Sequence, residues 1–175
     1  MNLLNKRDGL ILGVCNGFQA LLKLGLLPYG EIRPLNEDDP TLTHNTLGRH
    51  VSCMVNTCIA SNNSPWLADF NIGDVHTIAV SHGEGRFVAN EDWISKLAAN
   101  GQIATQYVDM NNQPTMSLPF NPNGSVAAIE SITSIDGRIF GKMGHSERRG
   151  ENLYKNITGN KNQPLFEAGI KCFKY

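Results

Sequence analysis

Cys15 lies in the run Gly13-Val14-Cys15-Asn16-Gly17, a G-x-C-x-G pattern between an apolar run and a segment of helical spacing. Glycines at those two positions permit the strained, tight turn of a nucleophile elbow, which lifts the central side chain clear of a sheet. A thiol at a helix N-terminus feels the positive end of the dipole, which favours the thiolate. The amide of Asn16, immediately after it, lies where an oxyanion would form. A thiolate nucleophile needs a base, and the base needs an orienting carboxylate. Gly144-His145-Ser146-Glu147-Arg148 offers both, on a loop after a predicted strand, and open α/β sheets gather their chemistry at the carboxyl ends of strands. Taken singly, Cys15 could be a buried structural thiol and His145 a solvated loop residue. Together they point to acyl transfer through a thiol, with Cys15 as nucleophile.

Two other clusters were weighed. Ser81-His82-Gly83-Glu84-Gly85-Arg86 follows another strand and holds a second imidazole. His82 is read either as a site-lining residue or as a histidine bonded to nearby backbone. His44, His50, Cys53 and Cys58 invite a zinc reading, but their spacings match none of the usual ligand pairs, and no metal site is expected. The chain has no GxxxxGK[ST] run, so no phosphate cradle is expected in it either.

These residues need elements to hold them. Gly9–Val14 is apolar throughout, the pattern of a strand buried on both faces of a parallel sheet. Phe18–Leu24 has helical spacing, with Gly25 as its C′ residue and Pro28 beyond. Met1–Arg7 resembles the last turns of a helix, and residues 29–48 a loop. Arg49–Thr57, His76–Ser81 and Ile103–Val108 are predicted strands, and Asn90 an N-cap for a helix Glu91–Ala99 closed by Asn100-Gly101. Asn111–Pro122 is predicted to be a loop. Ile129–Ser134 and Arg138–Met143 flank Asp136-Gly137, the signal of a type I′ hairpin. A short helix is expected around Asn152–Asn156, then a weakly patterned tail. The whole reads as a single α/β unit, residues 1–175.

Composition limits the partners. The 175 residues carry 15 basic and 16 acidic side chains, net −1, and 41% are hydrophobic. That content suits a packed core, and the charge balance excludes electrostatic capture of nucleic acid or anionic lipid. No apolar stretch reaches the ~18 residues of a membrane span, and no signal-peptide pattern opens the chain. Four cysteines without a CxxC pair suit the cytoplasm.

Gly13-Val-Cys-Asn-Gly-Phe-Gln19, Ser81-His-Gly-Glu-Gly-Arg86 and Gly144-His-Ser-Glu-Arg148, in this order, resemble the class I glutamine amidotransferase domain of phosphoribosylformylglycinamidine synthases. The resemblance runs from about Gly9 to Gly150. It implies an open, mostly parallel sheet flanked by helices, flavodoxin-like, with Cys15 as nucleophile, His145 as general base and acid, and Glu147 as its orienting partner. It further implies that Asn16, Gln19, Ser81, His82, Gly83 and Glu84 hold the substrate glutamine. Ammonia would pass to a synthetase domain or chain of purine biosynthesis, where ATP and Mg would act, none being needed in this segment. Ser146 stands where many members have proline. Members also carry a strand and a Gly-rich loop ahead of the elbow, so the resemblance implies an N-terminally truncated domain of reduced activity. The alternatives are a non-catalytic interaction fragment and a papain-like hydrolase, although the C-G-[SA]-C-[WY] run of the latter is missing.

Overall fold

A computed structural model describes residues 1–173. Helix α1 (Asn2–Arg7) ends at Asp8 in the left-handed region and leads into strand β1 (Ile11–Val14). Cys15 turns the chain directly into α2 (Asn16–Lys23), whose end is closed by Gly25 at φ 76°. A single turn, α3 (Leu26–Tyr29), follows. Next come β2 (Thr41–Thr43), β3 (Val51–Ile59), β4 (Val75–His82) and β5 (Arg86–Val88). Asn90 caps α4 (Glu91–Ala99) by accepting from the Trp93 amide at 2.9 Å. Strands β6 (Ile103–Tyr107), β7 (Ile129–Thr133) and β8 (Ile139–Lys142) and helix α5 (Leu165–Lys171) complete the described chain.

Six strands form one sheet in the order β1-β8-β7-β6-β3-β4, and β2 pairs with β5 in a separate ribbon. Helices flank the sheet, as the expected α/β class requires, but the sheet is mixed rather than mostly parallel. Only β1 and β8 run parallel; the other four pairings are antiparallel. A short turn suffices to join antiparallel neighbours, whereas a parallel pair needs a long crossover. Here that crossover is the entire chain between residues 14 and 139. The apolar signature misled about direction because it reports burial on both faces. β7 and β8 are buried at every position without being parallel to each other. β1 is the outermost strand of the described sheet.

The sheet also curls. The segment after β8 returns along the outer edge of β4, where the His145 amide donates to Ala79 O at 2.8 Å and the Thr77 amide to Asn160 O at 2.7 Å. One face packs Phe18, Leu21, Leu22, Leu27 and Leu97 on Ile129, Ile132 and Ile139. The other packs Leu67, Phe70, Leu165 and Ala168 on Ile59, Ala104 and Phe140. Full burial of such a side chain stabilises by about 1.5–3 kcal/mol.

Three local expectations are corrected. Only Gly137 of the Asp136-Gly137 pair has positive φ, and its amide donates to Ser134 O at 2.9 Å. That is a type I turn closed by a left-handed glycine, not type I′. Asn152–Asn156 forms turns instead of a helix, while the weakly patterned tail contains α5. The 29–48 stretch is largely loop but includes β2, which is too short to show a period.

Gly141 sets how closely α2 approaches the sheet. A Cβ there would fall on the Phe18 ring and lie 2.5 Å from Leu27 Cδ1. Gly141→Ala is expected to destabilise by about 1–3 kcal/mol through overpacking. A denaturant midpoint equal to that of the parent protein would show that α2 can retreat without cost.

Candidate active site

The parallel pair brings the two chemical motifs to one end of the sheet. Val14 is opposite Lys142 in the β1–β8 register, so Cys15 stands one residue beyond β1 and His145 three beyond β8. The Cys15 amide donates to Lys142 O at 2.8 Å, extending the ladder into the elbow. Cys15 has φ 53° and ψ −110°, a region that costs a non-glycine residue of order 1–3 kcal/mol and that persists at functional sites where neighbours enforce it. Here the neighbours are the ladder bond and the amides of Phe18 and Gln19, which donate to Cys15 O at 3.0 and 3.3 Å.

The two glycines of the motif differ. A Cβ on Gly13 would lie 2.7 Å from the Gly17 carbonyl carbon and 2.5 Å from Leu21 Cδ1, so the elbow can fold back only over a bare position. A Cβ on Gly17 would meet nothing within 4 Å, and the residue has no positive φ. Its absence of side chain is not demanded by the turn.

His145 is held through its backbone by β4 and through its ring by Glu147. The Nδ1 to Glu147 Oε1 distance is 2.5 Å. A carboxylate only accepts, so the shared proton sits on Nδ1, and Nε2 is left as the acceptor. That Nε2 is buried and has no partner among the described residues.

Cys15 opens on a cavity of about 690 Å³ lined also by Gln19, Ser81, His82, Gly83 and Glu84, together with His44, Gly48, Arg49 and His50. Five of the six residues expected to hold substrate therefore share one space with the thiol. The sixth, Asn16, has an exposed side chain and does not line it. Gln19 Nε2 donates to Glu84 O at 2.7 Å, His44 Nε2 lies 3.5 Å from Glu84 Oε1, and His50 Nε2 lies 3.1 Å from Ser81 Oγ. The 44–50 wall was missed as a site element because nothing periodic marks it. It is fastened by non-local bonds, the Asn45 amide to Gly83 O at 2.9 Å and Thr46 amide to Asn123 O at 3.3 Å. By spacing alone His44 and His50 suggest no role other than zinc ligands, yet both line this cavity. Among the described residues, no three His, Cys, Asp or Glu side chains cluster as a metal site. Cys53 is exposed although it continues the apolar alternation of its strand.

His82 forms the floor. Its ring is buried, Nδ1 has no partner, and Nε2 is 3.5 Å from Asn123 Nδ2. Gly85 packs beneath it, where a Cβ would meet Cε1 and Nδ1 at 2.6 Å. Burial pushes its pKa down from 6.5 to about 4; nearby Glu130 opposes that shift and His145 reinforces it. His82 thus stays neutral at neutral pH, a polar wall rather than a second cation.

Comparison with known proteins converges on one family. Residues 1–175 match the family described as the CobB/CobQ-like glutamine amidotransferase domain. The chain is 37% identical over 150 residues to phosphoribosylformylglycinamidine synthase subunit PurQ of Synechocystis sp., covering 85% of this chain and 61% of that protein. PurQ of Nostoc sp. is 36% identical over 164 residues, covering 93% of this chain and 62% of the relative. The structure of PurLQS from Thermotoga maritima superposes with a TM-score of 0.68 at 26% identity, covering 97% of this chain and 64% of that chain. The chain thus spans about 60% of the length of the curated relatives it matches.

The His82 shift has a consequence for stability. Above pH 6.5 the imidazole is neutral in both folded and unfolded states. As pH falls from 6.5 to about 4, the unfolded state takes the proton first, so stability declines through that window. The decline due to His82 is expected to reach about 3 kcal/mol, and His76, whose pKa burial also lowers, acts in the same direction. Urea midpoints at pH 7 and pH 4.5 measure it, and His82→Gln should flatten the dependence. An unchanged slope in that variant would refute burial of His82 as the cause.

Proposed function

The chain belongs to the CobB/CobQ-like glutamine amidotransferase family, and from that membership we propose that it releases ammonia from glutamine through Cys15, His145 and Glu147. The observation that carries this reading is the strained elbow of Cys15, opening on a cavity that holds both signs of charge. A free amino acid is a zwitterion. Glu84 offers a partner for its ammonium group and Arg49 one for its carboxylate, and Gln19, Ser81 and Gly83 line the same cavity. Family membership sets aside the papain-like alternative.

In this reading the Cys15 thiolate attacks the side-chain carboxamide carbon, and the developing oxyanion meets the Asn16 amide at the start of α2, where helical amides lack intrahelical partners. His145 passes a proton to the departing nitrogen, and the glutamyl thioester forms as the C–N bond breaks. Water, deprotonated by His145, then cleaves the thioester to glutamate and restores the thiol. Glu147 keeps the proton of the ring on Nδ1 and balances the imidazolium. No cofactor is required for these steps. By analogy with the PurQ relatives and the PurLQS assembly, the ammonia is consumed by a synthetase of purine biosynthesis, and the ATP- and Mg-dependent step belongs to that partner. A non-catalytic role is the alternative outcome of the tests that follow.

An electrophilic glutamine analogue is expected to alkylate Cys15 before Cys53, Cys58 and Cys172, read by peptide mass mapping. Burial raises the pKa of the Cys58 thiol and nearby Asp74 raises it further, which lowers its thiolate fraction. Preferential labelling of Cys58, or none at all, would count against a glutaminase. In a glutaminase assay with the synthetase partner present, Glu147→Gln is expected to lower kcat by roughly 10²–10⁴ with KM nearly unchanged. A raised KM at unchanged kcat would instead make Glu147 a binding residue.

A further inference from the structure

We propose that the buried Glu130–Lys142 pair, inside the curled sheet, is the positioning device for His145. Both side chains are 0% exposed, with Oε1 and Nζ 3.8 Å apart. Neither touches the cavity. Their hydrogen bonds run to the two residues that flank His145. Glu130 Oε1 accepts from the Gly144 amide at 2.5 Å. Lys142 Nζ donates to Ser146 Oγ at 2.7 Å and to Gln163 Oε1 at 2.9 Å. Ser146 Oγ also bonds to Gln163 Oε1, and Thr105 Oγ1 donates to Glu130 Oε2 while meeting Ser131 Oγ at 2.6 Å. With the His145 amide tied to Ala79 O at 2.8 Å, three consecutive residues are fixed from below.

The packing leaves little slack. A Cβ on Gly144 would fall on Ile78 Cδ1 and lie 2.9 Å from Glu130 Oε1, so the loop rests directly on the carboxylate. A buried ion pair is a poor source of stability, because removing two charges from water costs about as much as their attraction returns. Its value here is directional. A carboxylate and an ammonium accept and donate along fixed lines, and these lines aim the loop so that the His145 ring meets Glu147. An apolar pair of the same volume would fill the space without orienting a backbone amide or a hydroxyl. Glu130 and Lys142 act through Gly144 and Ser146 and touch no reacting atom. This inference rests on the glutaminase reading for its meaning, but not for its test.

The test uses the full chain with Lys142→Met and, because that variant leaves a bare carboxylate and can fail to fold, Ser146→Ala, which removes one link without unpairing a charge. Folding is confirmed by circular dichroism and a cooperative melt. The first readout is the His145 tautomer by histidine-selective ¹H–¹⁵N NMR. The parent protein is expected to show the Nδ1–H form alone, and the folded variants a mixture of tautomers. The second is alkylation of Cys15 by iodoacetamide, expected to slow by about 10- to 100-fold in Lys142→Met and by less in Ser146→Ala, as a base turned away from Cys15 no longer helps to ionise the thiol. A folded variant with the single tautomer and the parent alkylation rate would overturn the proposal, and Ser146→Ala decides alone if Lys142→Met does not fold. Neither readout involves glutamine. Failure of the glutamine analogue to label the parent protein, with both variant effects intact, would therefore overturn the glutaminase reading and leave the positioning role standing.

Discussion

The parallel pairing of β1 with β8 is the constraint on which the rest of the structure depends. Gly13 and Gly141 are directly opposite each other in its register. Both lie under α2, where a side chain on either would strike Leu21 or Phe18. Two bare positions side by side let the helix settle onto the strands, and this close approach forces the chain to reverse within one residue at Cys15. The positive φ of Cys15 follows from that geometry. So does its place beside the loop that carries His145, because neighbouring parallel strands end at the same side of a sheet.

The second constraint is polar. The interior of the curl holds Glu130, Lys142, Thr105, Ser131, Gln163 and Ser146 where an ordinary core would hold aliphatic side chains. Burial drives the Lys142 pKa down from its ordinary value, with the field of Glu130 opposing the shift. All of these residues have partners in the network, which offsets most of their desolvation, although the Gln163 Nε2 has none among the described residues. His82 sits on its margin and is kept neutral by burial. The arrangement places a fixed polar scaffold beneath the His145 loop and an uncharged imidazole in the lining of the cavity.

The cavity itself belongs to no single element. Its walls are the start of α2, the end of β4 and the 44–50 loop, and its lining includes both Glu84 and Arg49. The match to PurQ of Synechocystis sp. covers 85% of the chain and that to PurLQS 97% of it.

Much of this was legible in the order of residues because it is local. G-x-C-x-G between an apolar run and an amphipathic one specifies an elbow, since strand, turn and helix signals are each written within a few residues. The capping of α2 by Gly25 and of α4 by Asn90 is legible for the same reason, as is the Glu147 carboxylate two residues from His145. Tertiary structure alone decided strand direction, the edge position of β1, the wall formed by His44, Arg49 and His50, and the bonding of Glu130 to the Gly144 amide. Strand burial is recorded in hydrophobic pattern, but strand direction depends on which distant segment supplies the neighbour. A buried Lys and Glu separated by twelve positions carry no sign of their pairing until curling of the sheet brings both beneath the same loop.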